Sequence, residues 1–145
     1  METHALQARE QRQARLNAVR KTFLDHMIKD LAPNITRKRL LLEGFYTIDA
    51  DKATIKDYFD YITKELNVRT YSDPIIFETG NRGKKENQGF DAFVPLIDSG
   101  ISCYVWVYMK FISVIIYTCK DFDEKKAVDS TKAFFKIGKV EWNIF

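Results

Sequence analysis

Three apolar segments follow one another between Phe90 and Cys119 with very little chain between them. Their sequences are FDAFVPLI, ISCYVWVYM and FISVIIYTC, and only Asp98–Ser99–Gly100 and Lys110 separate them. Runs of this length, rich in β-branched and aromatic residues, predict strands, and connections this short allow only antiparallel neighbours. The third segment is apolar almost throughout, which is typical of a central strand covered on both faces. The chain is therefore expected to fold around an antiparallel sheet.

Further strands and two helices are predicted on either side of these segments. RLLLEGFYTI (39–48), PIIFE (74–78) and KVEWNIF (139–145) are predicted strands, the last one at an edge. Apolar residues spaced by three and four predict helices over 49–66 and 121–137, with Asp49 or Asp51 and then Asp123 as N-caps. The order β-α-β-β-β-β-α-β predicts an α+β two-layer sandwich of ferredoxin-like type, with two helices on one face of a mainly antiparallel sheet. The inward residues are predicted to be Ile55, Phe59, Ile62 and Leu66, then Val128, Thr131 and Phe135.

Residues 1–33 form a separate polar, helix-prone arm ahead of this pattern. Its first fifteen residues are nearly all polar, so residues 1–19 are predicted to be disordered. Pro33–Asn34 is predicted to end the helix, and residues 34–145 are predicted to be a single catalytic domain. One apolar stripe is predicted along the arm, made of Leu16, Val19, Phe23, Met27 and Leu31.

Composition excludes several classes of function. The formal net charge is only +3 and both signs are spread along the chain, which is unlike a nucleic-acid-binding protein. No apolar run spans a bilayer and the N-terminus lacks the apolar core of a signal peptide, so we expect a cytoplasmic protein with no membrane partner. The glycines form neither GxGxxG nor GxxxxGK.

The few histidines and cysteines narrow the chemistry further. The two histidines, His4 and His26, both lie in the arm, so the domain has no imidazole for a Ser-His-Asp triad, a Cys-His pair or a histidine zinc site. Cys103 and Cys119 are too few for a disulfide framework and are predicted to be reduced, buried thiols.

The sheet itself indicates an assembly. Its face away from the helices is rich in Phe, Tyr and Trp and needs a cover, which predicts a homo-oligomer, a dimer or trimer. The polar, glycine-containing segment TGNRGKKENQG (79–89) is long for a connection in a compact domain, and loops of that kind are often functional.

The segment 89–135 resembles the bacterial and archaeal S-adenosylmethionine decarboxylases, which are small pyruvoyl enzymes. In that family one strand rises into a Glu-Ser-His step, the next carries Ser, His and Trp at alternating positions, and a third ends in Thr-Cys before a helix. Here FVPLI rises into Asp98–Ser99–Gly100, and Tyr117–Thr118–Cys119 precedes DFDEKKA. Ser99 and Cys119 are twenty positions apart, similar to the family's pyruvoyl serine and catalytic cysteine. A weaker resemblance extends over 38–144. The alternating residues are Ser102, Tyr104 and Trp106.

The resemblance implies the decarboxylase fold and a pocket for S-adenosylmethionine. The two histidines of the family are replaced by Gly100 and Tyr104, so the self-cleavage before Ser99 that makes the pyruvoyl group lacks its imidazole. We therefore expect no cofactor and a reaction like that of the phage-encoded S-adenosylmethionine lyases, small trimers with active sites between subunits that act in the host cytoplasm. In that reaction the substrate's own carboxylate attacks and displaces methylthioadenosine. The rest of the substrate closes into homoserine lactone. A pyruvoyl-dependent decarboxylase and a non-catalytic S-adenosylmethionine-binding oligomer are the alternatives.

A cationic ligand that carries adenine needs an aromatic slot and a carboxylate for its ammonium group. Tyr104 and Trp106 alternate onto one sheet face, where Phe90 is predicted to join them. The same residues also suit an oligomer interface, and a site between subunits satisfies both interpretations. Tyr58 is predicted to be core. Glu78, Glu86 and Asp91 flank the long loop and are the candidates for the ammonium. The candidate catalytic residues are Glu86, Asp91 and Ser99, and the candidate substrate-binding residues are Glu78, Phe90, Ser102, Tyr104, Trp106 and Cys119.

Overall fold

The computed structural model describes the backbone of residues 2–25 and 29–145, and the side chains of residue 7, residues 9–19 and residues 29–145. The chain divides into two compact units, Met1–Asn34 and Ile35–Phe145. Within the described residues, no helix has the length and apolar character that crossing a membrane requires.

The first unit contains one helix, α1 (Glu2–Asp25). Residues 29–32 are not helical, so the helix ends before the predicted stop at Pro33–Asn34. Two members of the predicted apolar stripe, Leu16 and Val19, are 54% and 69% exposed. Leu31 lies beyond the helix, Met27 lies outside the described residues, and the side chain of Phe23 is likewise not described. Disorder of residues 1–19 in solution stays a prediction.

The second unit has the predicted order of strands and helices, with one additional 3₁₀ turn at Lys85–Asn87 inside the long loop. Its sheet has the strand order β2-β3-β4-β5-β1-β6, and every neighbouring pair is antiparallel. The short β2 and the C-terminal β6 therefore form the two edges, as predicted for β6. The elements are β1 (Lys38–Phe45), α2 (Lys52–Glu65), β2 (Ile75–Glu78), β3 (Gly89–Leu96), β4 (Ser99–Trp106), β5 (Phe111–Thr118), α3 (Glu124–Phe135) and β6 (Val140–Ile144).

Local sequence sets where the two helices begin. The Asp51 carboxylate accepts the Thr54 backbone N–H at 2.8 Å, and the Thr54 hydroxyl accepts the Asp51 backbone N–H at 3.3 Å, which is a capping box. Asp123 caps α3 by accepting the Lys126 backbone N–H at 2.9 Å. Of the two caps proposed for the first helix, Asp51 is the one that the fold uses.

Both helices lie on one face of the sheet and enclose the core. Each strand alternates, so that its inward side chains meet the apolar stripes of α2 and α3. The seven predicted inward helix residues are all buried, and so is Tyr58, whose hydroxyl lies 2.9 Å from that of Thr131. Burial raises the pKa of the Tyr58 phenol. The helices thus cover one face of the sheet and leave the other without cover from this unit.

Lys38 joins the start of β1 to the start of α3. Its ammonium donates to Asp121 at 2.7 Å, to Glu124 at 2.7 Å and to the Phe122 carbonyl at 2.6 Å. Burial acts to lower the pKa of Lys38, but the hydrogen bonds to the two carboxylates outweigh it and raise that pKa. The same hydrogen bonds lower the pKa of Asp121 and of Glu124. This cluster holds the connection that follows Cys119.

Candidate active site

The sheet face opposite the helices, here called the open face, carries the outward side chains of all six strands. Register places these side chains in rows that cross the sheet, and neighbouring rows lie about 7 Å apart because a strand rises two residues between them. One row is aromatic, the next is polar, and a third contains Ser102. The aromatic row contains Trp106, Phe111 and Phe45, and the polar row contains Asp91, Tyr104, Ser113 and Glu43.

The aromatic row forms the floor of a groove. The Phe111 ring lies 5.4 Å from that of Trp106 and 5.3 Å from that of Phe45, between centroids. Glu86 and Asn87 line one side of the groove from the 79–88 loop, and Met109 lines it from the β4–β5 turn; its volume is about 470 Å³. This aromatic groove is of a size and character that suit a small ligand with a flat ring.

The polar row lies beside the groove on the same face. The Ser113 hydroxyl donates a hydrogen bond to a Glu43 carboxylate oxygen at 3.1 Å, and Ser113 is only 7% exposed. Tyr104 is the cross-strand neighbour of Ser113 on one side and of Asp91 on the other. Asp91, Ser102 and Tyr104 also line a smaller depression of about 180 Å³ towards the β2 edge. The structure therefore brings three predicted residues together beside the groove.

Ser99 and Cys119 meet at the opposite end of β4. The Ser99 hydroxyl and the Cys119 thiol are 3.4 Å apart, and the Cys119 backbone N–H donates to the Asp98 carbonyl at 2.8 Å. Ser99 has a φ of 132°, which lies in a backbone region that residues other than glycine rarely adopt. Trp106 lies seven positions after Ser99 in β4, which is about 23 Å along a strand. One small ligand cannot contact both ends within a single subunit.

A histidine at Gly100, where the family resemblance would place one, would require the Phe93 side chain to move. A Cβ built on Gly100 would lie 2.4 Å from the Phe93 ring, which occupies that space. The other replaced histidine position is Tyr104, which is half-buried in the polar row. Both histidines of the sequence lie outside residues 35–145. Residues 35–145 therefore supply no imidazole to the step at which the family forms its pyruvoyl group.

One prediction about placement is wrong. Phe90 does not join Tyr104 and Trp106: it pairs with Val105, points to the helix side and is 7% exposed. Glu78 pairs with Phe90 and lies on that same side, where both line a depression of about 320 Å³. Sequence alternation fixes the facing of residues within one strand but not across strands, because that depends on register.

The two cysteines differ in their surroundings. Cys103 is fully buried as predicted, and burial raises the pKa of its thiol. Cys119, predicted to be buried, is exposed because it follows the last residue of β5. Tyr46 lies under the groove, where its hydroxyl donates to the Trp106 carbonyl at 3.3 Å and burial raises its pKa to about 12. Within the described residues, no three His, Cys, Asp or Glu side chains are grouped to hold a metal ion.

Several groove and row residues were not among the predicted ones. Phe45 and Phe111 are a strand end and a strand start, and only pairing places them beside Trp106. Glu43 and Ser113 carry a clearer signal, since each is a polar residue inside an apolar strand at an outward position. A polar residue in such a position is informative because an apolar face has no structural need for it.

Comparison with known proteins agrees with the architecture. The family model described as S-adenosylmethionine decarboxylase matches residues 43–145. The chain therefore belongs to the S-adenosylmethionine decarboxylase family, as the motifs in 89–135 indicated. The crystal structure of the adenosylmethionine decarboxylase from Aquifex aeolicus VF5 is similar with a TM-score of 0.60 and 20% identity, covering 77% of this chain and 89% of that chain. That similarity confirms the predicted α+β fold. A search of curated proteins finds no match.

Proposed function

We propose that this protein is an S-adenosylmethionine lyase, which releases methylthioadenosine and homoserine lactone without a cofactor. The main support comes from the residues around Ser99, where the family cleaves its own chain to form the pyruvoyl group. The domain keeps the sheet and the serine–cysteine pair of the family. At the family's two histidine positions it has Gly100 and Tyr104, and the Phe93 ring fills the space beside Gly100. A member of this family without its imidazoles needs a reaction of S-adenosylmethionine that requires no pyruvoyl group.

The aromatic groove supports binding of the adenosine part. Adenine has a flat face that stacks on aromatic rings, and Trp106 and Phe111 present such rings beside Phe45. The sulfonium is a permanent cation, which aromatic faces attract. Glu86 and Asn87 at the rim can accept hydrogen bonds from the ribose hydroxyls. The amino-acid part then projects towards the polar row that contains Tyr104.

The lyase reaction is balanced within the substrate itself. The substrate carboxylate attacks the γ-carbon, a new C–O bond closes the lactone ring, and the C–S electron pair passes to sulfur. The sulfonium becomes a neutral thioether and the carboxylate a neutral ester, so no proton, water or oxidant enters. The protein has to hold a folded conformer and keep water from the carboxylate, and good orientation can contribute about 7 to 11 kcal/mol in favourable cases.

A homo-oligomer, most simply a trimer with its sites between subunits, is part of this proposal. The open face exposes large apolar side chains, with Phe77 65%, Phe45 58% and Ile75 55% exposed. Large contiguous apolar surfaces usually mark an interface. A neighbouring subunit on this face closes the groove and excludes water from it.

A decarboxylase is the second candidate, and one observation favours it. Ser99 has strained backbone, its hydroxyl contacts Cys119, and the Asp98 carbonyl accepts a hydrogen bond from the Cys119 N–H. Those features surround the peptide bond that the family cleaves. A non-catalytic S-adenosylmethionine-binding oligomer is the third candidate.

Incubation of the purified protein with S-adenosylmethionine labelled at its carboxyl carbon separates the three. Methylthioadenosine with labelled homoserine lactone, or labelled homoserine after hydrolysis, supports the lyase. Labelled carbon dioxide, together with two fragments split before Ser99 in denaturing mass spectrometry, identifies a decarboxylase. Unchanged substrate at saturating protein leaves only the binding oligomer. Heat-treated protein is the control, because S-adenosylmethionine decomposes slowly to the same products as the lyase reaction.

A further inference from the structure

Glu43 is a carboxylate in the polar row of the open face. It projects from the middle of β1, two residues from Leu41 on one side and from Phe45 on the other. It is half-buried, and one of its oxygens accepts the hydrogen bond from the buried Ser113 hydroxyl at 3.1 Å. No basic side chain among the described residues forms an ion pair with it.

This carboxylate lies one row from the aromatic groove. Phe45 and Phe111 belong to the floor of that groove. In β1 Phe45 is two positions from Glu43, and in β5 Phe111 is two positions from Ser113, a spacing of about 7 Å in each strand. Ser113 fixes one oxygen of Glu43 and leaves the other free to accept a further hydrogen bond. The groove and the carboxylate therefore form two neighbouring subsites, one for a flat ring and one for a cation.

The carboxylates suggested by the sequence are less suited to hold that cation. Glu78 lies on the other face of the sheet. Glu86 and Asp91 are on the open face but exposed, and an ion pair at an exposed site contributes little because water and salt screen it. Glu43 is already partly withdrawn from water and held in place, so a cation gains more by binding to it.

We propose that Glu43 binds the α-ammonium group of S-adenosylmethionine and that Ser113 positions its carboxylate. This inference rests on the proposed use of the groove. The ammonium keeps its charge throughout the displacement, so a carboxylate bound to it stabilises substrate and transition state alike. A carboxylate bound to the sulfonium would favour the substrate over the transition state, in which that charge is disappearing. Binding the ammonium also separates it from the substrate carboxylate, which is the nucleophile.

Two unreactive ligands test this inference by titration of the full-length protein. S-adenosylhomocysteine carries the ammonium, and methylthioadenosine has the same adenosine and thioether without it. Glu43→Gln is expected to lower the affinity for S-adenosylhomocysteine at least about tenfold, which corresponds to the loss of one charge-assisted hydrogen bond. The affinity for methylthioadenosine is expected to stay unchanged. Ser113→Ala keeps the Glu43 carboxylate but removes the hydrogen bond that holds it in place. This variant is expected to lower the affinity for S-adenosylhomocysteine by a smaller factor. Glu141→Gln is the matched control, since Glu141 pairs with Glu43 in the same row and is exposed.

The outcomes are distinct. Equal S-adenosylhomocysteine affinity in Glu43→Gln and the wild type overturns the inference, and so does an equal loss in Glu141→Gln or a parallel loss of methylthioadenosine binding. A wild-type protein that binds neither ligand overturns the inference and the proposed function together. A wild-type protein that binds both ligands but forms no lactone contradicts the proposed lyase function. The comparison of ligand affinities between Glu43→Gln and the wild type then still decides the role of Glu43. In an active enzyme the loss is expected in KM with kcat little changed.

Discussion

Trp106→Ala removes one ring from the floor of the aromatic groove. The indole lies 5.4 Å from Phe111 between centroids and is half-buried, so its surface is available to a ligand. The backbone contact beneath it does not depend on the side chain, because Tyr46 donates to the Trp106 carbonyl. We therefore expect the variant to fold and to bind S-adenosylmethionine weakly.

The expected size of the effect follows from stacking. A base stacked on an aromatic side chain contributes about 1–3 kcal/mol, which corresponds to roughly fivefold to 150-fold in affinity. The cost to folding should be below the roughly 3–5 kcal/mol of a Trp→Ala substitution at a fully buried site, since this indole is only partly buried. A stability typical of a domain tolerates this loss.

The assay is kcat/KM for methylthioadenosine formation, with titration of S-adenosylhomocysteine as a second measurement. Trp142→Ala is the matched control: it removes the only other tryptophan, which pairs with Leu42 on the helix side of the sheet and is 46% exposed. It should leave both values unchanged and should preserve quenching of the Trp106 fluorescence by ligand. Full activity in Trp106→Ala, or an equal loss in both variants, would refute the use of the groove.

Three further predictions concern other parts of the chain. Ser99→Ala should keep the wild-type rate of methylthioadenosine formation and, like the wild type, run as one uncleaved chain in denaturing mass spectrometry; loss of activity together with loss of a cleavage product would favour the decarboxylase. Deletion of residues 1–19 should leave activity intact, because every described side chain among residues 7–19 is exposed, and a soluble but inactive truncation would contradict this. Lys38→Met should lower the urea midpoint at pH 7. Because Lys38 lowers the pKa of Asp121 and Glu124, its contribution is present above the ordinary carboxyl pKa of about 4 and is lost as pH falls through their lower folded-state values, so the two urea midpoints should converge in acid.

Much of the fold could be predicted from local sequence because its signals are local. Hairpin connections too short for a crossover fix the antiparallel pairing of β3, β4 and β5, and helical spacing selected all seven inward helix residues correctly. In the arm the same spacing predicted one apolar stripe, and its members Leu16 and Val19 are exposed. Spacing shows which residues can share a helix face, whereas burial also needs a partner surface.

The sequence by itself determined the order of the elements, the family motifs and the absence of an imidazole from the domain. The twenty-residue separation of Ser99 and Cys119 was also informative, since the two side chains do meet. The tertiary structure alone decided the composition of the open face. Register across β1, β5, β4 and β3 brings Phe45 into the row of Trp106, places Glu43 in the next row and turns Phe90 to the other side. The physical reason is that alternation is a property of one strand, whereas a row across a sheet depends on hydrogen-bonded pairing between distant parts of the chain.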